Sequence, residues 1–362
     1  MQPSQLKSTL ESFRPRLHQE IQSCLTLLQA NLGPWPHDPT QEQYWRRLRS
    51  YTVGGKLRRG ELLLIALQRP HGERAATAYR LGAWLEVLHS GFLIHDDIID
   101  NDNRRRGRPS YHAFLSKAFP EWAAEQKRTH HSPDQTGRGL ALALGEYLIS
   151  ASTSEIKFLD LPVKILENIV ARWDQTVVDT MAGQIRDITG NLPKEIDKDH
   201  ILETARLKTS AYSFSLPLYC SGQIAGLSQH LCERLAQLGN YLGICMQLQD
   251  DEDGLLKSAK EIGKTPGTDL RDNTITLWRW YLEQCADPLE KHLLNQIAGA
   301  PVITEDELES IRCLYRKYDL EWVREVHQER LLKRARRLIR NAEFPEFLKE
   351  RLHALATLEF IQ

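Results

Sequence analysis

Two short acidic stretches could do chemistry: His95-Asp96-Asp97-Ile98-Ile99-Asp100 and Gln249-Asp250-Asp251-Glu252-Asp253. Asp96 and Asp100 are four residues apart and share a helix face, with Asp97 about 100° round the same turn. Carboxylates packed so closely repel one another unless a cation lies among them. The flanking Leu93, Ile94, Ile98 and Ile99 would bury the helix that carries them, where unpartnered carboxylates are costly. Mg²⁺ answers that demand, binding through one or two carboxylates and keeping phosphate oxygens as further ligands. Two basic runs complete the picture. Arg104-Arg105-Arg106-Gly107-Arg108-Pro109 supplies guanidinium forks that match phosphate, its glycine and proline pointing to a fixed turn. Gly54-Gly55-Lys56-Leu57-Arg58-Arg59 offers backbone amides freed by glycine together with side-chain cations. His89 lies seven residues before Asp96, on roughly its helix face, where a hydrogen-bonded core role is the alternative. These groups suit magnesium–diphosphate chemistry.

The elements that must position them are helical. Apolar residues recur at helical spacing along the chain and alternating β patterns are nearly absent. Helices are predicted over 4–31, 40–51, 60–70, 74–101, 138–154, 160–190, 197–226, 228–258, 273–298, 303–316 and 318–360. The last carries the basic stretch Lys333-Arg334-Ala335-Arg336-Arg337, and Gly33 to Pro39 breaks the first. Residues 118–137 form a polar stretch expected to be an exposed loop or insertion. No repeat or linker divides the chain, so residues 1–362 are expected to form one all-α domain of many helices around a central cavity.

Composition narrows the partners. With 47 basic and 48 acidic residues the net charge is −1, so no global field recruits nucleic acid. The six cysteines show neither CxxC pairing nor zinc spacing and suit a reducing compartment. Neither a signal peptide nor a membrane-length apolar run is visible, and a cytoplasmic protein is expected.

The sequence resembles the trans-isoprenyl diphosphate (polyprenyl) synthases, short-chain type, from Gly54 to about Leu277. The motifs occur in the family's order: GGKxxR (Gly54 to Arg59), HDDIID followed by RRG (His95 to Gly107) and GQIRD (Gly183 to Asp187). LKTSAYSFSLP (Leu207 to Pro217), QLQDD (Gln247 to Asp251) and GKTPGTDLRDN (Gly263 to Asn273) follow. The resemblance implies that Asp96, Asp97 and Asp100 bind Mg²⁺ bridging to an allylic diphosphate, joined from the opposite side by Asp250 and Asp251. Arg105, Lys208 and Lys264 would hold that diphosphate, with Thr209 and Gln247 lining its site. Gly55, Lys56, Arg59, His89 and Arg106 would hold the diphosphate of isopentenyl diphosphate. A homodimer is implied as well.

Three departures from the family pattern matter. The last Asp of the second acidic motif is replaced by Gly254, for which Asp253 is the candidate substitute, and Thr274 stands where a lysine is common. Gly145-Glu146 has Glu where Asp is common. Product length should depend on the pocket beneath the first acidic stretch, where Phe92 supplies a barrier and Gly91 is expected to leave open space. That predicts geranylgeranyl diphosphate (C20), with farnesyl diphosphate (C15) next. A terpene cyclase, a peptide prenyltransferase and a non-catalytic partner subunit of a prenyl synthase are the rival readings. The GGKxxR loop and the second Asp pair weigh against the cyclase, and Gly254 and Thr274 lend some weight to the subunit.

Overall fold

The long apolar run that ends in the first acidic stretch folds as a helix, Ala75–Ile99, buried along almost its whole length from Ala75 to Ile94. A computed structural model of the chain describes residues 1–33, 41–67, 74–126, 132–190 and 196–357, with backbone only for 119–126. Two compact units emerge, residues 9–171 and residues 1–8 with 172–362.

The helices at the start of the chain are α1 (Pro3–Glu11), α2 (Arg14–Leu32), α3 (Gln41–Val53), α4 (Arg58–Leu63) and α5 (Ala75–Ile99). A hairpin of β1 (Arg104–Arg105) and β2 (Arg108–Pro109) leads to α6 (Tyr111–Gln126), α7 (Pro133–Glu155) and the start of α8 (Val163–Thr189). In the 9–171 unit α5 packs against α2 and α7. Leu17, Ile21, Leu25 and Leu28, at helical spacing on one face of α2, are fully buried.

The other unit continues α8 into α9 (Lys198–Ala205), a π-helical segment (Arg206–Ser215), α10 (Leu216–Ala225) and α11 (Gln229–Leu256). Short α12 (Ala259–Ile262) and α13 (Thr268–Arg271) follow, then α14 (Leu277–Cys285), α15 (Pro288–Ile297) and α16 (Glu305–Lys317). The chain ends in α17 (Leu320–Asn341) and α18 (Glu346–Leu355). Here α11 is central, packed by the π segment, α10 and α17. Gly239 and Gly243 permit the closest approach. A Cβ at Gly243 would fall 2.3 Å from Ser210 Oγ, and one at Gly239 would fall 2.6 Å from Ser215 Cα.

The all-α architecture matches the expectation, but several predicted helices are divided. The break between α1 and α2 puts Pro15 in the first turn of α2, where a missing N–H does no harm. Pro288 likewise opens α15 behind the capping box of Asp287 and Glu290, and Pro345 precedes α18. The loop expected over 118–137 is corrected. Residues 118–126 continue α6, and α7 starts at Pro133 with Ser132 and Gln135 in a reciprocal capping box. A Ser-Pro-Asp-Gln signature within a polar stretch therefore starts a helix. Residues 127–131, and residues 34–39 of the predicted break after α2, lie outside the described residues.

Candidate active site: two sets of carboxylates and cations

In the 9–171 unit the first acidic stretch closes α5. Asp97 is fully buried. Its Oδ1 accepts from Arg105 Nε at 2.6 Å, and its Oδ2 accepts from the Tyr51 hydroxyl at 2.7 Å. Each of its oxygens therefore already accepts from a protein donor, which ties the acidic stretch to Arg105 and Tyr51. Burial raises the Asp97 carboxyl to about 6, against the pull of Arg105 and Tyr51. Burial disfavours the charged form of Arg105 too, but Asp97 and Asp96 outweigh it and raise that guanidinium. Asp96, more accessible, lies 3.4 Å from Arg105 Nη2. Asp100 caps α5, its amide bonded to the Asp96 carbonyl at 2.8 Å.

Arg105 is set by a short hairpin built around the turn predicted from glycine and proline. Arg106 and Gly107, with φ of 53° and 72°, form the two-residue turn between Arg105 and Arg108. That turn sends the Arg106 guanidinium back to Tyr51, whose carbonyl accepts from Nη1 at 2.8 Å. It lies against the Gly54-Gly55 backbone, so close that a Cβ at Gly55 would meet Arg106 Nη2 at 2.6 Å. The GGK glycines and Arg106 thus belong to one cluster. His89 is buried beside it. Burial first, and then Arg59, Arg106 and Arg105, hold its imidazole well below the usual range, so it is neutral at physiological pH. Leu57, at φ 50°, turns the chain from Lys56 into α4, which carries Arg59.

Gly91 is the clearest correction. A Cβ there would fall 2.7 Å from Ile149 Cγ1 and 2.8 Å from the Gly145 carbonyl oxygen. The absent side chain is space taken by α7, not an open floor. Gly145 in turn makes room for His95, whose Nε2 is 3.1 Å from the Leu142 carbonyl oxygen. Phe92 is buried.

In the second unit a pocket is lined by Asp187, Lys208, Thr209, Gln247, Asp251, Asp269 and Thr274 among others. Lys208 sits in the π segment, an uncommon backbone form that often marks functional sites. Gly183 permits this, since a Cβ there would fall 2.2 Å from Lys208 N. Lys208 Nζ then donates to Asp187 Oδ2 at 2.7 Å. Thr209 Oγ1 donates to Gln247 Oε1 at 2.5 Å, and Gln247 Nε2 donates to Asp251 Oδ1 at 2.6 Å. Lys264 lies in the turn between Gly263 and Gly267, with φ of 74° and 75°, and Gly267 N bonds the Gly254 carbonyl at 2.9 Å.

Asp253, the candidate substitute for the missing carboxylate, has a protein partner on each oxygen. Its Oδ2 pairs with Lys257 Nζ at 2.6 Å and its Oδ1 accepts from Gln249 Nε2 at 2.9 Å. The carboxylate next to Gly254 is Asp269, whose Oδ2 is 3.6 Å from where a Cβ at Gly254 would stand.

The donor chemistry fits Mg²⁺. Burial first, and then Asp269, Asp250 and Asp187, push Asp251 well above the usual carboxylate range, and Asp269 is raised with it. That accumulation of negative charge is what a divalent cation relieves. Among the described residues no group of three or more His, Cys, Asp or Glu side chains is close enough to hold an ion unaided. An ion that completes its shell with phosphate oxygens and water does not need one.

Tyr51, Asp187 and Asp269 were missed from the sequence as functional residues. Asp187 and Asp269 lie inside recognised motifs. Tyr51 carried no signal beyond its place three residues before Gly54.

The all-α architecture matches that of solved isoprenyl synthases. The structure of geranylgeranyl pyrophosphate synthase from Corynebacterium glutamicum, complexed with isoprenyl diphosphate and magnesium, superposes with a TM-score of 0.83. That match covers 98% of this chain and 99% of the other at 23% identity, which establishes the fold. The Polyprenyl synthetase family model matches residues 42–314, and the chain belongs to that family. Relatives include geranylgeranyl diphosphate synthase of Sulfolobus acidocaldarius, 30% identical over 75% of this chain and 76% of its own length. Nonaprenyl diphosphate synthase of Mycobacterium tuberculosis is 26% identical over 74% and 72%.

Proposed function

We propose that the chain is a Mg²⁺-dependent trans-prenyltransferase that condenses isopentenyl diphosphate with an allylic diphosphate to give geranylgeranyl diphosphate. Family membership supports the chain-elongating prenyltransferase class. The observation that carries the detailed reading is the pairing, in each unit, of crowded carboxylates with cations held at fixed positions.

Bound Mg²⁺ would stabilise negative charge growing on the departing diphosphate. Asp96, Asp100, Asp250 and Asp251 are the carboxylates that would hold it. Lys208, fixed by Asp187, and Lys264, fixed by its glycine-bounded turn, serve the allylic diphosphate, as does Arg105, fixed by Asp97. Lys56, Arg59, neutral His89 and Arg106 take the diphosphate of isopentenyl diphosphate and orient its double bond. The allylic C–O bond breaks with its electron pair going to diphosphate. The double bond attacks the resulting allylic carbon, and a proton leaves to the released diphosphate. No protein nucleophile is needed.

The C20 product is supported by geranylgeranyl diphosphate synthases among the relatives and by Phe92 as a barrier, no longer by Gly91. The family match runs through parts of both units, which supports one synthase domain. No helix among the described residues is long and apolar enough to cross a membrane, which fits the proposed cytoplasmic location. A homodimer completes the reading.

The test is incubation of the purified chain with Mg²⁺, labelled isopentenyl diphosphate and, separately, dimethylallyl, geranyl and farnesyl diphosphate, followed by sizing of the dephosphorylated products. A C20 alcohol from each primer supports the proposal. A C15 end product keeps the enzyme and overturns the length, and no elongation overturns the activity.

A further inference from the structure

We infer that Glu86 is a positioning residue of the isopentenyl diphosphate pocket, acting through Arg59. The inference rests on the assignment of Lys56, Arg59, His89 and Arg106 to that substrate.

Glu86 is 2% exposed, on α5 one turn before His89. Its Oε1 accepts from Gly60 N at 2.9 Å. The charge nearest in effect is the Arg59 guanidinium; Arg106 acts more weakly, and the Arg59 amide also faces the carboxyl. Gly82 makes this possible. One turn before Glu86 on the same face, it lets α4 approach so closely that a Cβ at Gly82 would be 3.3 Å from Gly60 Cα. A buried carboxylate needs such partners, since leaving it unpaired is strongly unfavourable.

The counter-charge has a purpose in an anion pocket. Arg59 and Arg106 both act on His89, and with no diphosphate bound their like charges oppose each other. Glu86, bonded to the Gly60 amide next to Arg59, offsets that repulsion. It also pins the first turn of α4, so the guanidinium is preorganised for the incoming diphosphate. The catalytic metal and the allylic substrate are not involved, so the effect is confined to one substrate.

The experiment is steady-state kinetics of the full chain, varying each substrate at saturation of the other, for Glu86→Gln, Arg59→Gln and the double variant. Expected is a KM for isopentenyl diphosphate raised about tenfold in Glu86→Gln, with the allylic KM and kcat within about twofold of wild type. The double variant should be no worse than Arg59→Gln alone, because both act through one group. Equal changes in both KM values, or multiplying effects in the double variant, would overturn the inference and leave the pocket assignment standing. An unchanged KM for isopentenyl diphosphate in Arg59→Gln would overturn the assignment itself. If Glu86→Gln does not fold, Glu86→Asp takes its place. It keeps the charge but withdraws from Gly60 N, and the same selective rise, smaller in size, is expected; a uniform change again counts against the role.

Discussion

Arg105 and Asp97 are bound to each other: the arginine that follows the acidic stretch donates through Nε to the second aspartate at 2.6 Å. Asp97 is thus the residue that sets Arg105, and Asp96 and Asp100 are the proposed metal ligands beside it. Replacing Asp97 by Ala leaves the Arg105 charge without its buried partner. A loss of about 3–5 kcal/mol in stability is expected, the range for breaking buried pairs. Denaturant unfolding measures it. Asp96→Ala should leave stability nearly unchanged while lowering turnover about 10²-fold or more.

Gly91→Phe should not give a folded enzyme with a shorter product. The site that would receive the Cβ is occupied by Ile149 and the Gly145 carbonyl. Even Gly91→Ala is expected to cost about 1–3 kcal/mol through overpacking, with product length unchanged. Thermal melts and product sizing check both halves.

Gly183→Ala should act on chemistry through the backbone. Its Cβ would press on Lys208 N, moving the π segment and the ammonium it presents. Because small misplacements are severe in preorganised sites, a fall in kcat of about 10²-fold is expected. A circular dichroism spectrum near wild type would show that the helices persist.

Glu61 gives a pH signature away from the reacting groups. It is 4% exposed and pairs with Arg14, yet burial outweighs that pair and raises its carboxyl from 4.5 to about 7. A raised carboxyl pKa means that the folded chain binds the proton more tightly than the unfolded chain does. Its contribution to stability is full below about pH 4.5, declines as pH rises towards 7, and is lost above it. Unfolding free energy from pH 5 to 8 should show a decline of the order of 2–3 kcal/mol that Glu61→Gln removes.

The sequence made the motifs and the helical class legible because both depend on local pattern. Arg106-Gly107 was readable as a turn since glycine and proline punctuate the chain there. Gly91 was misread because an absent side chain looks like space until the helix facing it is known, and Ile149 lies far along the chain. The contacts of Asp97 were not visible for the same reason. Its partner Tyr51 is 46 residues away, and only folding brings the hydroxyl to Oδ2. Asp253 is the candidate substitute at Gly254, and its pairing with Lys257 and Gln249, each four residues away, follows from helical spacing. Pro15, Pro288 and the Ser132–Gln135 box were visible signals of helix starts that long apolar periodicity hid.

The measurement that tests the central claim most directly is incorporation of labelled isopentenyl diphosphate by the isolated chain, with farnesyl diphosphate as primer. Wild type and Asp250→Asn would be compared with excess Mg²⁺ and with a chelator. Turnover by wild type that the chelator abolishes and Asp250→Asn lowers about 10²-fold is the predicted result. No incorporation by wild type at any Mg²⁺ concentration would contradict the account and favour a non-catalytic partner subunit.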